Sequence, residues 1–416
     1  MNVLNSKDQS SKYDVCIIGG GGHIGLPLGV ALARSGLKTV LLDINKKNLD
    51  TIMSGVFPFK EDKGTETLKE ALSRGTLFGA SDPSVISQSS IIITVIGTPI
   101  DEYLNPNFLG IIRTVNDYLE HFRDGQIFIL RSTVYPGTSE RVQRFFEKNG
   151  KDVKVAFCPE RIVEGKAFEE MKRLPQIISA FDEKTLERVK ELFQKLTERA
   201  IVPVKPIEAE LSKLFCNAWR YISFAVANQF FMIASEYNLD YHSIFKAMTE
   251  DYSRMKDLPK PGFAAGPCLL KDTMQLAAFN NNHFLLGHAA MLVNEGLPGF
   301  VMQKIKEQYP DLKHKTIGIL GMAFKPESDD QRDSLSFKLR KVANTEAQEV
   351  LCHDPYIKSS EFFELEEVLS RSDIILLSTP HRMYMDISFE AYPGKIYVDL
   401  WNAWGRGFLF PSNLES

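Results

Sequence analysis

The chain has 416 residues, 44% hydrophobic and 25% charged, with a formal net charge of −4. That length exceeds one ordinary core and predicts two or three domains, while the charge balance, without a basic block, excludes electrostatic binding of nucleic acid. Five scattered cysteines with no CxxC pair and eight histidines with no HxxxH pair predict neither a disulfide framework nor a metal site.

The stretch Met1-Asn2-Val3-Leu4-Asn5-Ser6-Lys7-Asp8 is polar and lacks the apolar run of a signal peptide. No apolar stretch is long enough to span a membrane. A cytoplasmic protein with no membrane partner is expected.

Val15-Cys16-Ile17-Ile18 reads as a buried strand. It leads into Gly20-Gly21-Gly22-His23-Ile24-Gly25 and then a helical pattern over Leu26–Ala33. This is GxGxxG between strand and helix, the context in which glycines fit a dinucleotide. Gly20 is expected to permit the tight turn, Gly22 to admit the pyrophosphate, and Gly25 to let helix and strand pack closely. The helix N-terminus, behind His23 and Ile24, would face the phosphates with free N–H groups. A second strand, Thr39-Val40-Leu41-Leu42, ends at Asp43, placed to bind the adenosine ribose diol and to repel a 2′-phosphate. NAD is therefore the expected cofactor; a glycine-rich turn without a ligand is the bland alternative.

Further strands are predicted at Ser90–Ile96, Gln126–Leu130 and Val153–Phe157. The loops after the first two, Gly97-Thr98-Pro99 and Arg131-Ser132-Thr133, would line the nicotinamide end, with Thr98 and Thr133 as candidates, or serve as ordinary turns. The third opens onto Cys158-Pro159-Glu160-Arg161-Ile162-Val163-Glu164-Gly165. Two carboxylates and a guanidinium in one loop suit acid–base work, or form a solvated turn.

Ile207 to about Glu236 reads as one long helix, and Lys213, Asn217 and Arg220 share a face of it. That stripe would face a substrate, neighbouring helices or solvent. The apolar remainder, with Trp219, Phe224, Phe230 and Phe231, looks large enough for a helix–helix dimer interface. Another helix is predicted from Leu285 to about Gln308. Between them, Pro261-Gly262-Phe263-Ala264-Ala265-Gly266-Pro267-Cys268 brings a thiol out of a run of small residues, and Lys271-Asp272 follow. A thiolate is a good nucleophile for a carbonyl carbon, although a lone cysteine is often only a buried small hydrophobe. Lys315–Gly321 then opens a second strand-and-turn unit without GxGxxG. A helix should start within Ser328–Ser334, and strands should end near His353, Thr379 and Leu400.

Together these pieces resemble the nucleotide-sugar 6-dehydrogenases, the UDP-glucose/GDP-mannose dehydrogenase family. The matching motifs are the glycine turn, Gly97-Thr98-Pro99, Ser132-Thr133-Val134, Pro159-Glu160-Arg161, the Lys213 and Asn217 helix, Cys268 with Lys271-Asp272, and Gly321-Met322-Ala323-Phe324-Lys325-Pro326. The resemblance implies an α/β fold: two Rossmann-like doubly wound domains joined by a long central helix, with an α-helical dimerisation region. The boundaries expected are 1–204 for the NAD-binding domain, 205–310 for the central helical domain carrying the cysteine loop, and 311–416 for the UDP-sugar-binding domain.

By the same resemblance, Cys268 would attack the C6 aldehyde, and a second oxidation would leave a thioester for water to hydrolyse. Lys213 and Asp272 would handle the proton and the oxyanion, Asn217 would hold that oxygen, and Glu160 with Thr133 would act in hydrolysis. Substrate contacts would come from Glu160, Arg161, Glu164, Lys213, Asn217, Arg220, Arg254, Gly262, Phe324 and Lys325. Arg332 would sit at the cleft between domains beside the cofactor, or pair with Asp330 or Asp333. The cysteine loop departs from the family, with Ala265-Gly266-Pro267 where adjacent glycines are usual. Pro159-Glu160-Arg161 and Asn217-Ala218-Trp219-Arg220 favour a UDP-N-acetylhexosamine such as UDP-N-acetylmannosamine or UDP-N-acetylglucosamine, with Arg161 or Arg220 near the acetamido group. A homodimer making a surface-polysaccharide precursor is implied. The alternatives are a UDP-glucose 6-dehydrogenase, a dehydrogenase with one hydride step and no covalent intermediate, and a non-catalytic sugar-nucleotide-binding protein.

Overall fold

The computed structural model describes residues 11–97, 110–264, 266–407 and 409–410. The chain divides into two compact units between Phe215 and Cys216. In the first, eight strands among the described residues form one sheet: β1 (Tyr13–Ile18), β2 (Thr39–Leu42), β3 (Leu77–Ala80), β4 (Ser89–Thr94), β5 (Ile127–Leu130), β6 (Lys154–Phe157), β7 (Gln176–Ala180) and β8 (Ile201–Pro203). Their order is β3-β2-β1-β4-β5-β6-β7-β8. The pairs from β3 to β6 are parallel, β7 runs antiparallel to β6, and β8 is parallel to β7. The first six follow the doubly wound order, whose direction of winding reverses between β1 and β4.

These strands read as unbroken apolar runs because both faces are covered. Val15, Ile17, Leu41, Ile91 and Ile93 point into one core, with the helix Gly25–Arg34 over it. Their neighbours Cys16, Ile18, Val40, Leu42 and Ile92 point into the other. Strands β3, β7 and β8 escape the sequence reading: β3 carries Gly79 and is only partly buried, and β8 is three residues long.

The second unit holds a four-stranded parallel sheet, β10-β9-β11-β12, made of β9 (Thr316–Leu320), β10 (Glu349–His353), β11 (Ile374–Leu377) and β12 (Ile396–Asp399). The long helix spans Pro206–Glu236, and a second runs Leu285–Gln308 straight through Pro298. Phe231, Leu297, Val301 and Ile305 share one core with Ile317, Ile319 and Leu376, so these helices are built onto the last sheet. The helix after β9 starts at Leu335, capped by Ser334, and not within Ser328–Ser334 as expected. That earlier stretch is an irregular loop held by its own ion pair.

Candidate active site

The glycine turn leaves β1 at the reversal between β1 and β4, where open parallel sheets bind ligands. Its positive φ of +83° falls on Gly19, not on Gly20. Gly20 is needed for a different reason: a Cβ there would lie 2.7 Å from the Leu41 backbone. At Gly25 a Cβ would meet the Gly19 carbonyl at 2.3 Å, which enforces close helix–strand packing. Gly22 is exposed, and a Cβ there would meet only that carbonyl, at 3.5 Å. The cradle is therefore open on the side a pyrophosphate would take, and the residues fit a dinucleotide. Asp43 is tied into the turn, its Oδ2 accepting from the Gly21 amide at 2.9 Å and its Oδ1 from Asn45. Asn48 closes the loop by donating to the Gly21 carbonyl at 2.9 Å. Ile44, 89% exposed beside Asp43, offers an apolar face that sequence reading passed over. His23 stacks on Phe59 at 4.1 Å, Ile24 caps the helix, and Thr98 lies outside the described residues.

Beyond β5 and β6 the loops carrying Thr133 and Glu160 are fixed from beneath. Thr133 is half-buried. The segment just after it is anchored by Glu210, which accepts from the amides of Gly137 and Ser139 and from the Ser139 hydroxyl. Burial pushes the Glu210 carboxyl above its ordinary pKa, partly offset by those donors. Glu160 is buried and bonded to Arg131, whose side chain is wholly enclosed. Arg161 donates from Nη2 to the Pro175 carbonyl. Glu164 is half-buried, and the turn after it is clamped by Glu61, whose carboxylate accepts from the amides of Gly165 and Ala167.

In the second unit the helix Leu269–Phe279 begins at Cys268. A thiol at a helix N-terminus faces free N–H groups and the positive end of the dipole, which favour negative charge on sulfur. The cysteines separate by environment. Burial pushes Cys158 up to about 12 and Cys352 up to about 11, and raises Cys16 as well, whereas Cys268 and Cys216 are exposed. Asp272 follows Cys268 by one turn and is fully buried. Its Oδ2 accepts from Asn217 Nδ2 at 2.5 Å, and Lys271 Nζ stands 3.4 Å from Oδ1. Lys213 is half-buried one turn before Asn217 on the long helix, and Arg220 is exposed. The three-residue stripe is thus graded from buried Asn217 to exposed Arg220.

The cysteine loop is gripped at both ends. Asn228 accepts from the Gly262 amide at 2.8 Å and donates to its carbonyl at 3.0 Å. A Cβ on Gly262 would lie 2.1 Å from the Trp401 ring. Gly266 has φ +104°, and a Cβ there would overlap Phe324 at 2.6 Å, so the one glycine kept within Ala265-Gly266-Pro267 is required. Ala265 lies outside the described residues.

The second sheet reverses between β9 and β11. Gly321 has φ +91°, and a Cβ there would lie 2.4 Å from the Thr379 carbonyl. Asp354 holds the following turn by accepting from the amides of Met322 and Ala323 on Oδ2. Lys325 Nζ lies 5.4 Å from the Phe324 ring centroid. Arg332 is pinned to Asp330 through Nε and Nη2, the pairing anticipated as the alternative to a cofactor contact. Arg254 is exposed beside Tyr252.

The long helix leaves an apolar stripe uncovered within the described chain. Phe215, Trp219, Val226, Phe230, Ile233 and Tyr237 are exposed at spacings of three, four and seven, which keeps them on one face. Of the aromatics expected there, Phe231 is instead buried and Phe224 packs against a core cluster.

Three models of the UDP-glucose/GDP-mannose dehydrogenase family match the chain in order: its NAD binding domain at residues 13–197, its central domain at 207–295 and its UDP binding domain at 318–406. The UDP-N-acetyl-D-mannosamine dehydrogenase of Methanocaldococcus jannaschii is 30% identical over 392 residues, covering 90% of this chain and 87% of that protein. The enzyme of the same name from Pyrococcus horikoshii is 29% identical over 380 residues, covering 89% and 90%. A solved structure of UDP-D-ManNAc dehydrogenase from Pyrococcus horikoshii superposes with a TM-score of 0.87 at 28% identity, over 94% of this chain and 96% of that one.

Proposed function

The chain belongs to the UDP-glucose/GDP-mannose dehydrogenase family, an NAD-dependent oxidoreductase family, and from that premise we propose that it oxidises C6 of a UDP-N-acetylhexosamine to the carboxylate. UDP-N-acetylmannosamine is the first candidate, because the relatives above carry that name. The observation that carries the reading is Cys268, exposed at a helix N-terminus with buried Asp272 one turn on and Asn217 bonded to it.

When bound, NAD supplies the hydride acceptor for each of the two oxidations. Gly20, Gly22, Gly25 and Asp43 would hold it, with Gly22 giving the approach. Cys268 would add to the C6 aldehyde and keep the sugar carbon attached between the oxidations. Asp272 and Lys213 would move the proton, and Asn217 would hold Asp272 in place as well as the substrate oxygen. Thr133 and Glu160 would serve hydrolysis, each from a loop already fixed within the first unit. Arg161, Glu164, Arg220, Arg254, Gly262, Phe324 and Lys325 would bind the sugar nucleotide. Arg161 donates to the Pro175 carbonyl and Arg332 to Asp330, bonds that hold each guanidinium in place while it carries further N–H donors for a ligand.

The division into 1–204, 205–310 and 311–416 belongs to this proposal, supported by the bounds of the three family models. So does a homodimer, supported by the apolar stripe from Phe215 to Tyr237. No helix among the described residues is long and apolar enough to cross a membrane; a cytoplasmic location is part of the proposal.

The test is a panel of nucleotide sugars with NAD, followed at 340 nm and scored for NADH per sugar. About two NADH per UDP-N-acetylhexosamine is expected from a four-electron oxidation. A faster turnover of UDP-glucose would move the substrate assignment, and no NADH with any sugar would remove the enzyme.

A further inference from the structure

Arginine is almost never fully buried unless paired, and Arg131 is the largest fully buried side chain among the described residues. It stands immediately after β5, two residues before Thr133. Its Nε and Nη2 both donate to Glu160 Oε2, at 2.9 and 2.5 Å. Its Nη1 donates to the Cys158 carbonyl and its Nη2 also to Gln176 Oε1, both at 3.1 Å. The guanidinium lies 4.7 Å from the Phe193 ring centroid. The other oxygen of Glu160, Oε1, accepts from the amides of Arg161 at 2.8 Å and Ile162 at 3.2 Å.

A carboxylate offers about four lone-pair sites. Four donors occupy them here, two from Arg131 and two from the backbone. The carboxylate is therefore fixed in place, and the Glu160–Gly165 loop is folded around it.

Resting on the dehydrogenase reading above, we propose that Arg131 is a positioning residue for the hydrolytic half of the reaction, acting through Glu160. In that half, water adds its oxygen to the acyl carbon, and the carbon–sulfur bond breaks with its electron pair going to Cys268 Sγ. The products are a sugar carboxylate, the thiol and one proton. Arg131 does not touch the substrate. It holds the negative charge of Glu160, and the loop that Glu160 orders, in the geometry that this step needs.

The experiment compares wild type, Arg131→Met, Arg131→Lys, Glu160→Gln and the double variant Arg131→Met/Glu160→Gln with UDP-N-acetylmannosamine and NAD. Single-turnover NADH formation, steady-state kcat and KM, and intact-protein mass are read. The expected result is that Arg131→Met keeps NADH formation in the first turnover and KM within about threefold, loses at least tenfold in kcat, and accumulates the sugar adduct on Cys268. The double variant should be no slower than Glu160→Gln alone, because the two act as one unit. Arg131→Lys keeps the charge but not the fork, should recover part of kcat, and carries the test if Arg131→Met does not fold.

Multiplying losses in the double variant, or a kcat loss without the adduct, overturns the proposal. So does wild-type turnover in Arg131→Met. Wild type inert toward every sugar nucleotide overturns the dehydrogenase reading as well, which separates the two failures.

Discussion

Asn217 donates its amide hydrogen to Asp272 Oδ2 across 2.5 Å, and both side chains are buried. The bond ties the long helix to the helix that starts at Cys268. Asn217→Ala leaves that oxygen of a buried carboxylate without its donor, a loss of about 1–3 kcal/mol. Urea unfolding should show it as a lower midpoint at unchanged slope, together with reduced turnover. An unchanged midpoint would mean that water replaces the amide at no cost.

Cys268→Ser should abolish carboxylate formation while leaving the unfolding free energy within about 0.5 kcal/mol of wild type, as expected for an exposed position. Cys216→Ser, also exposed, should retain turnover. Full acid production by Cys268→Ser would point to oxidation without a covalent intermediate.

Two glycines of one turn should fail differently. Gly25→Ala puts a methyl 2.3 Å from the Gly19 carbonyl, and should destabilise the first unit by about 1–3 kcal/mol as well as weaken NAD binding. Gly22→Ala meets nothing closer than 3.5 Å, so it should keep its stability and lose NAD affinity alone. Thermal unfolding and NAD titration together distinguish them; equal stability losses would contradict the geometry.

His242 gives the second unit an acid sensitivity. Burial, partly offset by Asp240 and reinforced by Lys260, pushes its pKa down from 6.5 to about 4, and its Nε2 is buried without a hydrogen-bond partner. Between those pH values the unfolded chain takes up a proton that the folded chain does not, so stability falls as pH drops from 6.5 toward 4. His242→Gln should flatten the fall in melting temperature between pH 7 and pH 5. An identical pH profile in the variant would refute the assignment.

The apolar stripe on the long helix predicts self-association. Trp219 is 68% exposed and Phe230 shares its face. Trp219→Glu with Phe230→Glu should shift the sedimentation coefficient from dimer to monomer, since a buried pair of charges would have to be desolvated. A wild-type protein that sediments as a monomer at every concentration would leave the stripe to another partner.

Much of this molecule is legible in its residue order. Runs such as Val15–Ile18 and Ile374–Leu377 must be buried on both faces, and a run needs no partner to declare that. Gly25 marks a close packing of helix on strand, and Cys268 with Lys271-Asp272 announces a thiol followed by an ionic pair. The strands β3 and β8 are not legible, because a short, partly exposed strand carries little hydrophobic signal, and β7 mixes Gln176 and Ser179 with its apolar residues. Nor is the anchoring of the site. Arg131 meets Glu160 across 29 positions only because β5 and β6 lie side by side. Asn217 meets Asp272 across 55 only because two helices pack together. Periodicity records which side chains leave water; which of them then meet is set by strand order and helix packing, and only the folded chain supplies those.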